Sequence, residues 1–400
     1  MSRANHNGSS QTPARLEVGA APHLAPAVSY TESVWMYIAV ACLPLGAGLV
    51  VYGLAAARVA GLSMLAAVLT QRLIGTAKRQ PARIEITHSA MMGLLLGLTL
   101  PAATPWYIPV AAGAIAVAIG KAAFGGIGHY FWHPAALGRI AVQVLFPEKL
   151  SPGLWAHGVN WPFLGRGHLL TGDLTRTCTA DHYIGWRETP LPSGCEAWLA
   201  PRPEQILRWL ADGRTELTGG ADHPLLAAIR DALPPWRDTV LGLTGGGIGE
   251  GCAVALLVAA IYLMYRRHLR WQIVVGVLAA AAAAAAILPV RVAPTGSDGG
   301  SWLWLPVLAW PEGLPAGPIY VLYHLTCGDL MLVACLLAGE TVTNPITPRG
   351  QIIFALALGA LTVFLRMYAL PVCAGYWALL AMNTFVPLID RRTQPRVLGT

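Results

Sequence analysis

The sequence predicts an all-α polytopic membrane protein of about ten transmembrane helices, and three observations carry that reading. Of its 400 residues, 55% are hydrophobic and only 12% are charged, about half the charged share of a soluble globular chain. The mean hydropathy is +0.54. Apolar runs close to the roughly 20 residues that cross a bilayer recur through both halves of the chain. The 43 glycines and 30 prolines follow no repeat period, which excludes a collagen-like chain, and the apolar content excludes a disordered one. The net charge of +7 reads as the Lys/Arg excess of cytoplasmic loops, so no nucleic-acid partner is expected.

Residues 1–30 are polar, small and proline-containing, with no apolar stretch before a cleavage site. They read as a disordered cytoplasmic tail rather than a signal peptide. Candidate spans follow at 34–56, 58–76, 86–102, 105–123 and 134–147, then at 249–265, 270–290, 318–340, 350–366 and 369–389. The chain is thereby divided into a membrane block over 31–147, a long loop over 148–248, a second block over 249–390 and a short tail over 391–400. The third and fifth spans are short, which suits tilted, broken or re-entrant segments covered by protein. Two groups of five spans fit an inverted repeat, although no sequence repeat is evident. The alanine run from Ala279 to Ala286 in the seventh span reads as a smooth surface for close helix packing.

Orientation follows from the short loops. Lys78, Arg79, Arg83, Lys121, Arg266, Arg267, Arg270, Arg349, Arg391, Arg392 and Arg396 fall on one side under this span count, whereas Arg58, Arg291 and Arg366 lie near helix ends on the other. The positive-inside rule then places both termini in the cytoplasm and the 148–248 loop outside. Five of the seven cysteines, Cys42, Cys252, Cys327, Cys335 and Cys373, sit in apolar runs and are expected to pack as small hydrophobes. Cys178 and Cys195 lie in the long loop, where an oxidising compartment would let them pair. No zinc or iron–sulfur spacing is present, so no metal site is expected.

Three stretches have chemistry to offer. The first runs from Gly120 to Ala136 and holds Lys121, Gly125, Gly126, Gly128, Tyr130, Phe131 and Trp132. Glycines permit positive-φ turns and close approach of a flat ligand, backbone N–H groups hold anions, and the aromatic rings supply stacking faces. A cofactor pocket and a tight turn with interfacial aromatics are both consistent with it. The second, Thr244 to Glu250, opens the sixth span with a Gly-rich turn and reads as a cap, with Glu250 in the first helical turn. The third is the eighth span. His324, Asp329 and Glu340 are intramembrane ionisable residues, which mark ion or proton paths by default. Asp329 and Glu340, being eleven apart, are expected on nearly one helical face. The hydroxyl-rich, proline-interrupted segment Thr341–Gly350 follows. His88, His133 and His324 read as separate hydrogen-bonded residues rather than ligands. No hydrolase motif or Walker loop is present.

Together these residues resemble the family of the D subunit of the Rnf electron-transport complex and the B subunit of the Na⁺-translocating NADH:quinone reductase, closer to the Rnf side. The resemblance runs from Ala21-Pro22-His23 to Arg396. A Gly-Gly-x-Gly-x-x-x-x-Asn-Pro-Ala block is similar to Gly125–Ala135, with His133 in the Asn place. A Pro-Gly-Ser-Ile-Gly-Glu turn is similar to Gly245–Glu250. A His-Leu-x-x-Gly…Met-Leu…Thr-Asp-Pro-Val-Thr stretch is similar to His324–Thr343, with Glu340 for Asp and Thr341 for Pro. The closing Asn-x-x-Val-Pro-Leu-Ile-Asp-x-x-Thr-x-Pro-Arg matches Asn383–Arg396.

The resemblance implies a ten-span subunit of a multi-subunit redox pump that passes electrons between flavins and couples this to Na⁺ or H⁺ movement. It implies FMN joined through a phosphoester to a threonine in a Ser-Gly-Ala-Thr-Pro-Leu motif of the outer loop, attached by a flavin transferase, and in some members a noncovalent riboflavin. This sequence holds no Ser-Gly-Ala-Thr. Its candidate anchor is Thr189, followed by Pro190-Leu191 but preceded by Trp186-Arg187-Glu188; Thr179, six residues after Asp173, is a second candidate. The bulk before Thr189 and the charge of Glu188 oppose a transferase and an incoming phosphate, and Arg187 offsets that charge. Three functions follow: a flavin-bearing redox subunit, a structural or ion-conducting subunit without covalent flavin, and a stand-alone transporter of a small solute. Asp329, which takes an uncharged family position, and Glu340 are the expected ion-path residues.

Overall fold

The computed structural model describes residues 30–77, 83–147, 149–150, 203–211, 233, 236–242, 245–292, 301–309, 315–370 and 372–394. Its helices in chain order are α1 (Tyr30–Tyr52), α2 (Leu54–Ala77), α3 (Arg83–Thr99), α4 (Tyr107–Ala118), α5 (Pro134–Leu145), α6 (Pro203–Ala211), α7 (Trp236–Leu241), α8 (Ala253–Tyr265), α9 (Trp271–Ile287), α10 (Ala316–Thr326), α11 (Leu330–Leu337), α12 (Pro348–Tyr368) and α13 (Ala374–Thr393). A helix lies at each position where a span is expected. Helices α1, α2, α12 and the stretch Tyr107–Phe124 are long and apolar enough to cross a membrane, and α10 with α11 reaches that length and apolarity only as a pair broken by a bend, the form of a broken span or a re-entrant loop. Helices α5, α8 and α9 are apolar but shorter. Among the described residues, one feature departs from an all-α chain. Val290–Val292 (β1) and Ser301–Leu303 (β2) pair as an antiparallel ribbon, with Val290 opposite Leu303.

Local chemistry sets several boundaries. Gly53 at φ 63° separates α1 from α2. Pro134 opens α5 and Pro348 opens α12, positions where the missing proline N–H costs nothing. Thr347 caps α12 by accepting the Gly350 N–H at 3.0 Å. The sixth span begins at Ala253 rather than 249, because the Gly-rich turn before it is bonded to α3 instead: Gly249 N–H donates to Leu98 O at 2.7 Å and Ile248 N–H to Leu100 O at 2.9 Å. Glu250 is therefore outside the helix, not in its first turn, and its carboxylate folds back to accept the Gly247 N–H at 2.7 Å.

Small residues bring the helices together. At Gly97 an added Cβ would lie 2.6 Å from Ala60 Cα, and at Gly93 it would lie 2.7 Å from Met64 Cα, so α2 and α3 touch through their backbones. The alanine run of α9 does the same against α12: Gly359 abuts Val277 and Ala281, with Ala280, Ala281 and Ala285 buried. This is the van der Waals packing that substitutes for the hydrophobic effect between helices in lipid. Outward-facing Leu65, Leu69, Leu73, Val258, Ile261 and Phe364 are exposed, as lipid-facing side chains would be. Cys327, Cys335 and Cys373 are buried as expected, Cys252 is half-buried and Cys42 is exposed.

The eighth span departs most from expectation. It is bent by 59° between Thr326 and Leu330, where Gly328 takes φ 70°, a conformation that a side chain would resist. After one α turn, Val333–Leu337 is a π-helix, closed by Ala338 N–H to Val333 O at 2.7 Å. Such turns are rare and concentrate at functional sites. Glu340 lies beyond the helix. Asp329 and Glu340 thus do not share a helical face, and they enter two separate clusters.

Candidate functional site

The first cluster forms around Glu340, which is 3% exposed. Its Oε1 accepts the Tyr130 hydroxyl at 2.6 Å and lies 3.8 Å from His88 Nε2. Its Oε2 faces the Thr343 hydroxyl at 3.4 Å. Tyr130 also lies 3.0 Å from His88 Nε2, so phenol, imidazole and carboxylate meet in one buried triangle. Tyr30 stacks on the His88 ring at a centroid distance of 6.1 Å. Tyr37 donates to Gly339 O at 3.0 Å and fixes the backbone ahead of Glu340. His133 is wholly buried just before α5.

Lys121 stands beside this triangle. Its ammonium contacts Glu85 Oε2 at 2.5 Å, Glu85 O at 2.9 Å and Ser89 Oγ at 3.0 Å, which uses the three donors a lysine has. The glycine segment wraps the same carboxylate. Ile127 N–H donates to Glu85 Oε1 at 3.2 Å, and a Cβ at Gly126 (φ 106°) would lie 3.0 Å from that oxygen. Gly125 and Gly128 also have positive φ. The Lys121–Gly128 turn is therefore closed on an internal anion. A flavin phosphate or other anion does not fit there, because the one ammonium is engaged and Glu85 would repel it. The aromatic residues divide: Tyr130 points into the cluster, while Phe131 and Trp132 pack on each other at 4.4 Å and Trp132 bonds Thr384 at 3.0 Å.

The second cluster holds Asp329. Arg366, buried in α12, donates Nη2 to Asp329 Oδ1 at 3.1 Å and Nη1 to His324 O at 2.7 Å. Gly375 N–H, at the start of α13, donates to Asp329 Oδ2 at 2.6 Å. Arg366 lies in the last turn of α12, near a helix end as expected, and is the buried partner of Asp329. Helix α6 covers this place, with Glu204 close to Gly328 and Arg208 bonded to Met367 O. A third group lies nearby, where Glu250 Oε1 accepts the Tyr376 hydroxyl at 2.5 Å. Arg139, wholly buried, donates to Thr99 O at 3.0 Å and Gln143 Oε1 at 2.8 Å.

The structure brings Lys121, Gly125, Gly126, Gly128 and Glu340 to one end of the helices and keeps Asp329 apart from them. Glu85, Arg139 and the partnership of His88 with Glu340 are not singled out by the sequence. The signal for Glu85 was its i, i+3, i+4 spacing with His88 and Ser89, which puts all three on one helical face. The signal for Arg139 was an arginine inside an apolar span. Thr189, Thr179, Cys178 and Cys195 lie outside the described residues.

A model of the NQR2, RnfD, RnfE family matches residues 17–399. The chain belongs to that family. Among its relatives, the D subunit of the ion-translocating oxidoreductase complex of Stutzerimonas stutzeri is 30% identical over 386 residues, covering 93% of each chain. The D subunit of the proton-translocating ferredoxin:NAD(+) oxidoreductase complex of Clostridium ljungdahlii is 28% identical, covering 96% of each. The D subunit of the Na(+)-translocating ferredoxin:NAD(+) oxidoreductase complex of Acetobacterium woodii is 27% identical, covering 96% of this chain and 95% of that one. Family membership thus extends over both membrane blocks and the loop between them. It includes relatives named for different ions.

Proposed function

We infer that this chain is a membrane subunit of an ion-translocating electron-transport complex of Rnf type. The observation that carries this is end-to-end similarity to chains named as the D subunits of such complexes. The buried carboxylates fit it, since ionisable groups inside a membrane are costly and are kept where they move ions or protons. Its partners are the other membrane and peripheral subunits of that complex. Reduced ferredoxin and NAD⁺, the couple in two relatives' names, are the reactants to try first.

Ten spans cross a bacterial inner membrane in this reading, with both termini cytoplasmic and the 148–248 loop outside. The Glu340 cluster then faces the cytoplasmic half and the Asp329 cluster the outer half. Two packing patterns support a five-plus-five inverted repeat. Helix α2 packs on α3 and α4, and α4 on α5; helix α9 packs on α10 and α12, and α12 on α13. The ion pairs correspond as well. A cation ending the fourth span (Lys121) holds an acid opening the third (Glu85), whose other oxygen accepts a backbone N–H from the following turn. A cation ending the ninth (Arg366) holds an acid within the eighth (Asp329), whose other oxygen accepts the Gly375 N–H.

Electrons pass by flavin in this reading, with FMN on Thr189 attached by a flavin transferase and riboflavin as a further carrier. The second reading, a subunit without covalent flavin, is favoured by Trp186-Arg187-Glu188 standing before Thr189. One preparation addresses both levels. An affinity tag on this chain, purified from membranes with the transferase co-expressed, is expected to bring down the other subunits. A chain that purifies alone yet works as a transporter contradicts the assignment. In the denaturing gel its band is expected to fluoresce and Thr189→Ala to darken it. A fluorescent Thr189→Ala band excludes that anchor.

A further inference from the structure

We propose that the turn between α8 and α9 binds the phosphate of an anionic phospholipid, whose acyl chains lie along the outward faces of those two helices. The segment is Tyr265-Arg266-Arg267-His268-Leu269-Arg270-Trp271. All three arginines are exposed, whereas His268 and Leu269 are buried. Those two buried residues pin the turn. His268 Nδ1 lies 3.0 Å from Ser33 Oγ on α1. Leu269 fills the space over Gly339, where an added Cβ would collide with its Cδ1. The backbone is closed as well: His268 N–H donates to Leu263 O at 2.9 Å and Arg267 N–H to Met264 O at 3.0 Å. The arginines are therefore held outward on a fixed frame.

Three further observations select the ligand. Arg267 takes φ 61°, the left-handed conformation on which helices commonly end and which glycine favours. An arginine there keeps a cation at a position where its backbone is strained. Arg266 lies 3.5 Å from Glu32, but among the described residues no ion pair engages Arg267 or Arg270. Apolar surface brackets the turn. On α8, Val254, Val258, Ile261 and Tyr265 are exposed at the spacing of one helical face, and on α9 Trp271 and Val275 are exposed. Tyr265 and Trp271 have the amphipathic rings that sit at the headgroup level of a bilayer. Guanidinium groups bind phosphate through paired N–H donors, and basic clusters at the ends of transmembrane helices bind anionic headgroups. A soluble anion or an acidic peptide would use the arginines and leave the apolar faces uncovered; a phospholipid uses both. The site is independent of the electron-transport assignment and needs only that α8 and α9 face lipid.

The test is native mass spectrometry of the full chain, purified in detergent with the subunits that accompany it. It is titrated in parallel with dioleoylphosphatidylglycerol and dioleoylphosphatidylcholine. The wild-type chain is expected to bind the anionic lipid about tenfold more tightly than the zwitterionic one, the effect of one charge-assisted contact. Arg267→Gln with Arg270→Gln is expected to remove that preference, and Arg267→Lys with Arg270→Lys, which keeps both charges, to retain part of it. Should the double glutamine variant fail to fold, Arg270→Gln alone carries the test, with a clear loss of the preference expected. Equal binding of the two lipids by the wild-type chain overturns the proposal, as does an undiminished preference in a folded glutamine variant. Displacement of the phosphatidylglycerol by inorganic phosphate overturns it in favour of a free-anion site. Loss of another subunit from the glutamine variant with the lipid preference intact overturns it in favour of an acidic protein partner.

Discussion

Arg366→Leu is expected to lower stability more than any other single change, by about 3–5 kcal/mol, the cost of leaving one member of a buried ion pair uncompensated. The guanidinium is 1% exposed and Asp329 7%. Removing it strips Asp329 Oδ1 of its cation and His324 O of its donor, leaving only the Gly375 N–H on the carboxylate. Arg366→Leu with Asp329→Leu removes both charges and is expected to recover much of the loss, because a buried pair replaced by apolar groups of similar size is often neutral. Thermal unfolding in detergent, followed through the four corners of this cycle, measures the coupling. Additive effects would show that the two charges do not stabilise one another. The pair matters to the fold because it ties three segments together: the break in the eighth span, the end of α12 and the start of α13.

Tyr130→Phe is expected to have the largest effect on activity among changes that leave every charge in place. It deletes the hydroxyl that donates to Glu340 at 2.6 Å and meets His88 at 3.0 Å while preserving the ring. A hydrogen bond to a charged group contributes about 1.5–3 kcal/mol, which corresponds to roughly a 10–100-fold slowing of a step that depends on it. The gradient formed per unit time is the quantity to measure, alongside the electron-transfer rate and the recovery of assembled complex. An assembled complex that forms its gradient at the wild-type rate would show that the phenol does not serve the carboxylate.

How much of this was legible in the sequence depends on how local each feature is. The helix positions were, since apolar length and flanking prolines are local properties. The alanine run of α9 and the inward packing of Cys327, Cys335 and Cys373 were legible for the same reason. The bend at Gly328 was not: a lone glycine in an apolar run gives no sign that it adopts a left-handed conformation, and the π turn after it leaves no compositional trace. Without that bend, Asp329 and Glu340 fall on a common face; with it, they part. The Lys121 site was half legible. Its glycines announced a tight turn, but what the turn encloses, Glu85, lies 36 residues earlier, and only folding brings it there. Glu340 was picked out as an ionisable residue of an apolar span, and the structure buries it. Its partners His88 and Tyr130 come from other segments, 210 residues away in the case of Tyr130, so the histidine and the tyrosine looked solitary.

The assignment as a redox-driven translocase subunit is tested most directly by removing the chain. Inverted membrane vesicles from cells lacking this gene, supplied with reduced ferredoxin and NAD⁺, should form no ion gradient, and a plasmid copy of the wild-type gene should restore it. A gradient of undiminished size in vesicles without the chain would contradict the assignment.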